Sequence, residues 1–223
     1  MRVFLVLILA TRARAHRIAV IVTGRTNCVN AQLAKQIAQS ATPAHVYLSS
    51  DVDAYRPPYT VNFSGILLQN LPSHVLANTP WCVAHGCTNM LSQFFHNARA
   101  FDMVAASGVS YDAVLKFRAD IGVDRLPRID FPVPEGTLFV PYGHDYGPEQ
   151  LNDQVAWGTQ ATIEKYVKTF YTFPSHHARD RIDNGPEKAT YWNAYLQRLR
   201  VVRTQYDYEL IDARHEPDCR ATF

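Results

Sequence analysis

Tyr111 to Asp124 reads YDAVLKFRADIGVD. Ala113, Val114, Leu115 and Phe117 make it an apolar strand, and Lys116, Arg118, Asp120 and Asp124 give its end a burst of charge. In an open α/β sheet, ligands sit just beyond the carboxyl ends of the strands, so charges at a strand exit stand where a ligand would be met. Lys116 lies one step inside the strand, and Arg118 and Asp120 lie at its exit. A hard divalent cation takes carboxylate oxygen and completes its shell with water and substrate phosphate, while arginine grips phosphate with a planar fork. One carboxylate beside two bases therefore points to a metal-bridged diphosphate. The competing reading is a strand end followed by a solvated turn.

The rest of the chain reads as the sheet around that strand. Arg17 to Val22 (RIAVIV) is a continuous β-branched run, the pattern of a strand buried on both faces, and Thr23-Gly24-Arg25 follows it as a ligand-facing turn. Asn27 is placed to cap a helix carrying Val29, Leu33 and Ile37, and His45 to Ser49 is the next strand. Strand, helix, strand is the start of a βαβ unit with parallel strands. Asp51-Val52-Asp53 beyond it is a literal D-x-D in a polar loop, read as an exposed turn. The segment from Asn62 to Thr88 is poorly patterned, with a short apolar run from Gly65 to Leu68.

Met90, Leu91, Phe94, Phe95, Ala98, Phe101 and Ala105 form one apolar stripe on a helix, with His96 and Arg99 off the stripe and expected in solvent. Gly108 ends that helix. Thr137 to Val140 reads as a short strand. The loop Pro141 to Gly147, punctuated by glycine, carries His144, Asp145 and two phenols, which makes it a site candidate. Leu151 to Gly158 is a polar cluster running into an apolar one. Thr159 is placed to cap a helix over Ile163, Tyr166 and Val167, and Ser175 to Asn184 reads as a charged loop. Pro186 and Glu187 start a last helix, and Val201, Val202 and Tyr206 to Ile211 supply closing strand material.

Composition bounds the class. The 223 residues are enough for one substantial domain, and 47% hydrophobic with 19% charged residues describes a packed chain. A net charge of +2 lacks the basic footprint of a nucleic-acid binder, so no nucleic-acid partner is expected. Cys82, His85 and Cys87 lack the second half that structural zinc requires; a Cys82 to Cys87 disulfide and buried free thiols are the two other readings. Residues 1–15 read either as a short signal peptide, ending in Ala13-Arg14-Ala15, or as a leading strand. Their apolar run is too short for a membrane span, so no transmembrane span is expected. The first reading would send the chain to the secretory route and the Golgi lumen, where the Asn62-Phe63-Ser64 sequon would matter, and the second would leave it in the cytoplasm.

Taken together, IAVIVTGR (Ile18 to Arg25), HVYLSSD (His45 to Asp51), the helix followed by YDAVLKFRAD, LNDQVAWGT (Leu151 to Thr159) and GPEKATYWNAYL (Gly185 to Leu196) resemble a small GT-A-type nucleotide-sugar glycosyltransferase. The likeness is to the compact WavE-like enzymes of bacterial lipopolysaccharide synthesis and to those of large algal viruses. It implies a single α/β domain over residues 16–223, GT-A-like (Rossmann-like), with a mostly parallel sheet flanked by helices. It also implies transfer of a sugar from a nucleoside-diphosphate sugar to a glycan or other hydroxyl acceptor, assisted by Mn2+ or Mg2+. Arg118-Ala119-Asp120 stands where such enzymes carry Asp-x-Asp, so Asp120 is the metal candidate. Thr23, Gly24, Arg25, Lys116 and Arg118 are the donor-binding candidates.

A departing nucleoside diphosphate gathers negative charge, which a cation and a basic side chain stabilise, and the attacking hydroxyl needs a base across the sugar. Asp153, Asp145 and His144 are the base candidates, with Asp153 favoured because its Asn-Asp-Gln cluster is read as lying just before a helix. Two alternatives stand beside transfer: a catalytically weak nucleotide- or carbohydrate-binding module, and a metal-dependent phosphohydrolase that would need more ligands than these.

Overall fold

The computed structural model describes residues 16–24, 31–40, 44–52, 62–79, 87–143, 147, 149–172 and 185–210. Their strands are β1 (Ile18–Gly24), β2 (Ala44–Ser50), β3 (Phe63–Leu68), β4 (Ala113–Arg118), β5 (Ile121–Gly122), β6 (Thr137–Pro141), β7 (Val155–Gly158), β8 (Arg200–Thr204) and β9 (Glu209–Leu210). The helices are α1 (Ala31–Ala38), α2 (Ser73–Ala77), α3 (Thr88–Ala106), α4 (Gln160–Val167) and α5 (Gly185–Leu196).

Seven strands form one mixed sheet in the order β3-β2-β1-β4-β7-β6-β8, and β5 pairs with β9 in a small second sheet. The pairs β3-β2, β2-β1, β1-β4 and β6-β8 are parallel, and β7 runs against both β4 and β6. The expected α/β architecture, a mostly parallel sheet flanked by helices, is present. The antiparallel β7 was not legible in the sequence, because its four residues are too few to show a period.

β1 sits centrally, and from Ala19 to Gly24 every residue is buried, as its unbroken apolar run requires. Side chains alternate between the faces of the sheet. Val20, Val22, Leu48, Leu115 and Phe117 pack with Leu33, Ala34 and Ile37 of α1 on one face. Ala19, Ile21, Tyr47 and Val114 pack with Ala100, Phe101 and Val104 of α3, and with Ile163 and Tyr166 of α4, on the other.

α3 ends where expected: Gly108 takes φ +66°, a left-handed conformation that glycine adopts without a Cβ penalty. Thr159 caps α4, its Oγ1 accepting the Thr162 N–H at 3.2 Å. The poorly patterned stretch after Asn62 contains β3, a half-exposed edge strand whose short run cannot announce itself against its polar flanks. Cys87 is disulfide-bonded, which removes it from any zinc set, and its partner lies outside the described residues. The readings of residues 1–15, of Asn27 as a cap and of the loop at 175–184 also lie outside them. Among the described residues, no helix is long and apolar enough to cross a membrane.

Candidate functional site

Strand order reverses at β1: β2 and β3 lie on one side of it, and β4 follows on the other. The carboxyl ends of β1 and β4 therefore mark the switch point, where open α/β sheets take ligands. Register decides which side chains stand at this end of the sheet. Thr23 pairs with Ser49 of β2 and with Arg118 of β4, so Ser49, Thr23 and Arg118 form a row across the last turn of three strands. One step inside, Ile21 pairs with Tyr47 and Lys116. All of these face α3.

α3 answers with polar residues of its own. Gln93, His96 and Asn97 stand at i, i+3 and i+4 and therefore share one side of the helix. Thr23 Oγ1 donates to Asn97 Oδ1 at 2.6 Å. Ser49 Oγ lies 3.0 Å from His96 Nδ1, and His96 Nε2 lies 3.1 Å from Asp51 Oδ1. The expectation that His96 is solvated is corrected: it is fully buried, because α3 is enclosed on both its apolar and its polar sides. Asp51, read from sequence as part of an exposed turn, is tied down by His96 with its side chain 16% exposed. Ser49 is itself fully buried, so this chain of contacts positions Asp51 and does not present a nucleophile.

Arg118 and Asp120 form a two-pronged ion pair, Nε to Oδ1 at 2.7 Å and Nη2 to Oδ2 at 2.5 Å. The arginine backbone is pinned as well, its N–H donating to Gln154 O at 2.9 Å. Burial by itself would weaken the guanidinium's hold on its proton; the hydrogen bonds and charge of Asp120 more than offset this and raise its pKa. A carboxylate has about four lone-pair sites, and Arg118 occupies one at each oxygen, so Asp120 keeps oxygen lone pairs for one cation contact. No group of three or more His, Cys, Asp or Glu comes together among the described residues, so a cation on Asp120 would draw its other ligands from donor phosphate and water.

Beneath that pair, Lys116 is fully buried and donates to the carbonyls of Asp153 and, at 3.3 Å, Gln154. Burial pushes its pKa down to about 8, against the opposing pull of the Asp153 charge, and the Arg118 charge adds to the fall. Asp153 is fully buried too: its Oδ2 accepts from Gln93 Nε2, and its Oδ1 has no hydrogen-bond partner among the described residues. The Asn-Asp-Gln cluster precedes strand β7, not a helix as expected, because Asn152 Oδ1 accepts the N–H groups of Gln154 and Val155 at 3.0 and 3.2 Å and turns the chain into the sheet. Asn152 Nδ2 also donates to Gly143 O at 3.1 Å and to Tyr208 Oη at 2.5 Å, tying the root of the 141–147 loop to this end of the sheet.

Of the sequence candidates, Thr23, Lys116, Arg118, Asp120 and Asp153 gather at this end of the sheet. Gly24 closes β1, its carbonyl accepting from Ser50 Oγ at 2.9 Å. Arg25, His144 and Asp145 lie outside the described residues. Sequence reasoning missed Gln93, Asn97 and Ser49; the available signal was the 93/96/97 spacing of polar residues opposite the apolar stripe of α3. No family model matches the chain, and no curated protein sequence matches it.

Proposed function

We propose that the chain is a GT-A-type glycosyltransferase, moving a sugar from a nucleoside-diphosphate sugar to a glycan or other acceptor hydroxyl, with Mn2+ or Mg2+ at Asp120. The observation that carries this reading is Arg118. It ends β4 at the switch point of the sheet, paired with Thr23 and on the face turned toward α3. An arginine fork in that place suits a diphosphate, whose oxygens it can take two at a time. The cation, when bound, supplies positive charge to the leaving oxygens.

The chain's own residues supply the rest. In an inverting transfer the acceptor oxygen bonds to the anomeric carbon as the bond to the diphosphate breaks. The bonding electrons leave on the nucleoside diphosphate, where Arg118 meets the new charge, and the hydroxyl proton passes to a base. Asp153 is the described candidate for that base: its Oδ1 has no hydrogen-bond partner among the described residues, and because its carboxyl is enclosed like Ser49, the role requires that the bound acceptor open a path to it. Lys116, enclosed and bonded to two carbonyls, acts by its positive field and by holding the Asp153 backbone.

The test is incubation with a panel of nucleotide sugars and manganese. Metal-dependent release of nucleoside diphosphate is the expected result; release of inorganic phosphate would mean a phosphohydrolase, and protection against melting without turnover a binding module. Asp153→Asn should keep donor affinity near normal and cut transfer by about 100-fold or more, the scale of a general base. Transfer that survives would move the role to Asp145 or His144.

A further inference from the structure

The two edges of the main sheet are protected unequally. β8 (RVVRT) closes one edge with Arg200 and Arg203, and charge on an edge strand opposes pairing with a second chain. β3 (FSGILL) closes the other with no charge and no proline, and among the described residues no strand pairs with its outer side. A register shift against β2 leaves Ser64 as an extra residue between Phe63, opposite Val46, and Gly65, opposite Tyr47, so the strand is bulged at its start. Beyond the bulge, Ile66, Leu67 and Leu68 pair with β2 without interruption, and Ile66 is 45% exposed. An uncharged apolar edge of this kind invites another strand.

The one N-x-S/T sequence in the chain, Asn62-Phe63-Ser64, stands at the start of that edge. Asn62, Ser64 and Ile66 are exposed, whereas Phe63, Gly65 and Leu67 are half-buried. A Cβ on Gly65 would lie 3.0 Å from the Tyr47 ring and 3.2 Å from Met103 Sδ, so Gly65 marks the packed face of β3 and Asn62, Ser64 and Ile66 the open one. Because β3 runs parallel to β1 and β2, Asn62 stands at the amino ends of these strands, at the opposite end of the sheet from Thr23 and Arg118. Cys87 is disulfide-bonded, a state that forms and persists in oxidising compartments, of which the secretory route, where N-glycans are added, is one.

We propose that Asn62 is an N-glycosylation site and that its glycan shields the open edge of β3. This modification is independent of the transferase reading. The donor is a lipid-linked oligosaccharide diphosphate of the secretory route. The Asn62 amide nitrogen bonds to the sugar's anomeric carbon as the bond from that carbon to the diphosphate breaks. The electron pair leaves on the lipid diphosphate, and one amide proton passes to solvent. A bulky, hydrated chain rooted at Asn62 covers Ile66 and denies the edge to a second strand, away from the end of the sheet that holds Arg118.

In the test, the full chain is directed into the secretory route of cultured eukaryotic cells by a cleavable leader, recovered from the medium and treated with peptide N-glycosidase. A single mobility shift should follow, with residue 62 converted to aspartate in the peptide mass spectrum. Ser64→Thr should keep the shift, and Asn62→Gln and Ser64→Ala should lose it. Sedimentation velocity then compares glycosylated with enzyme-stripped chain. Only the stripped chain should self-associate, and Ile66→Lys, which puts a charge on the edge, should return it to monomer. A recovered wild-type chain with Asn62 unmodified overturns the site, as does a shift that survives Asn62→Gln. Equal association of glycosylated and stripped chains, or association that persists in Ile66→Lys, overturns the shielding and leaves the site standing.

Discussion

The two faces of the sheet differ most at the same three strand ends. Toward α1, the positions Val22 of β1, Leu48 of β2 and Phe117 of β4 join one apolar cluster just before Gly24 and Ser50 end the first two strands. Toward α3, one residue further along each strand, they are Thr23, Ser49 and Arg118. A single step of backbone separates hydrocarbon from chemistry, because successive side chains point to opposite faces. One face is therefore free to supply stability while the other carries groups that stability alone would not select. A buried lysine, an orphaned carboxylate oxygen and a histidine enclosed between Ser49 and Asp51 all lie on the α3 side.

Adjacent residues of β4 put this division to its hardest test. Phe117 is fully buried, so Phe117→Ala should cost about 3–5 kcal/mol in chemical denaturation, while the folded fraction keeps its pyrophosphate affinity. Arg118→Ala removes a partly exposed pair and should move stability by about 1 kcal/mol or less, yet abolish pyrophosphate binding. Similar losses of binding in both variants would break the comparison.

How much of this was legible beforehand follows from what a period can carry. The unbroken run of β1 and the mixture of hydrocarbon and charge in β4 are strong local signals, and they placed Thr23, Lys116, Arg118 and Asp120 at a strand exit. Register is not local. Nothing in RIAVIVTG says that Thr23 will stand opposite Ser49 and Arg118, so the row across three strands was invisible. Nor could the apolar stripe of α3 reveal that its polar side, Gln93, His96 and Asn97, is also covered, because a stripe predicts one buried face and α3 has more than one. Asp153 was selected from its neighbours, but its contact with Gln93 depends on a helix 60 positions earlier.

The buried lysine gives a pH signature to the α3 face. Burial lowers the pKa of Lys116 from 10.5 to about 8. Between those values the unfolded chain holds a proton that the folded chain has released, so stability rises with pH across that window. From pH 8 to pH 10 the wild type should gain about 2 kcal/mol relative to Lys116→Met, measured by denaturant unfolding at several pH values. Burial raises the pKa of Tyr111 from 10.0 to about 12, which acts with the opposite sign: its contribution is complete below pH 10 and is lost as pH climbs toward 12. The contributions of these two groups taken together therefore peak near pH 10. An identical slope in wild type and Lys116→Met would mean that folded Lys116 keeps its proton across this window and that burial does not lower its pKa.

The smallest effect separates a placed polar contact from a tolerated one. Thr23→Val nearly conserves shape but removes the only hydroxyl that donates to Asn97 Oδ1 among the described contacts, and it should cost about 1 kcal/mol. Adding Asn97→Leu removes the stranded acceptor as well; because deleting both partners is close to neutral, the double variant should recover most of the loss, and the cycle of the four proteins should show the coupling. On the opposite face Val22→Thr offers the matching control. It introduces a hydroxyl into the cluster of Leu33, Leu48, Leu115 and Phe117, where no packed side chain of that cluster's aliphatic members accepts it. Its cost should resemble that of Thr23→Val, but Asn97→Leu should not relieve it. Rescue confined to the Thr23 variant would establish that Thr23 is matched to its partner on α3, whereas purely additive costs would reduce the row to three polar side chains that happen to lie near their strand ends.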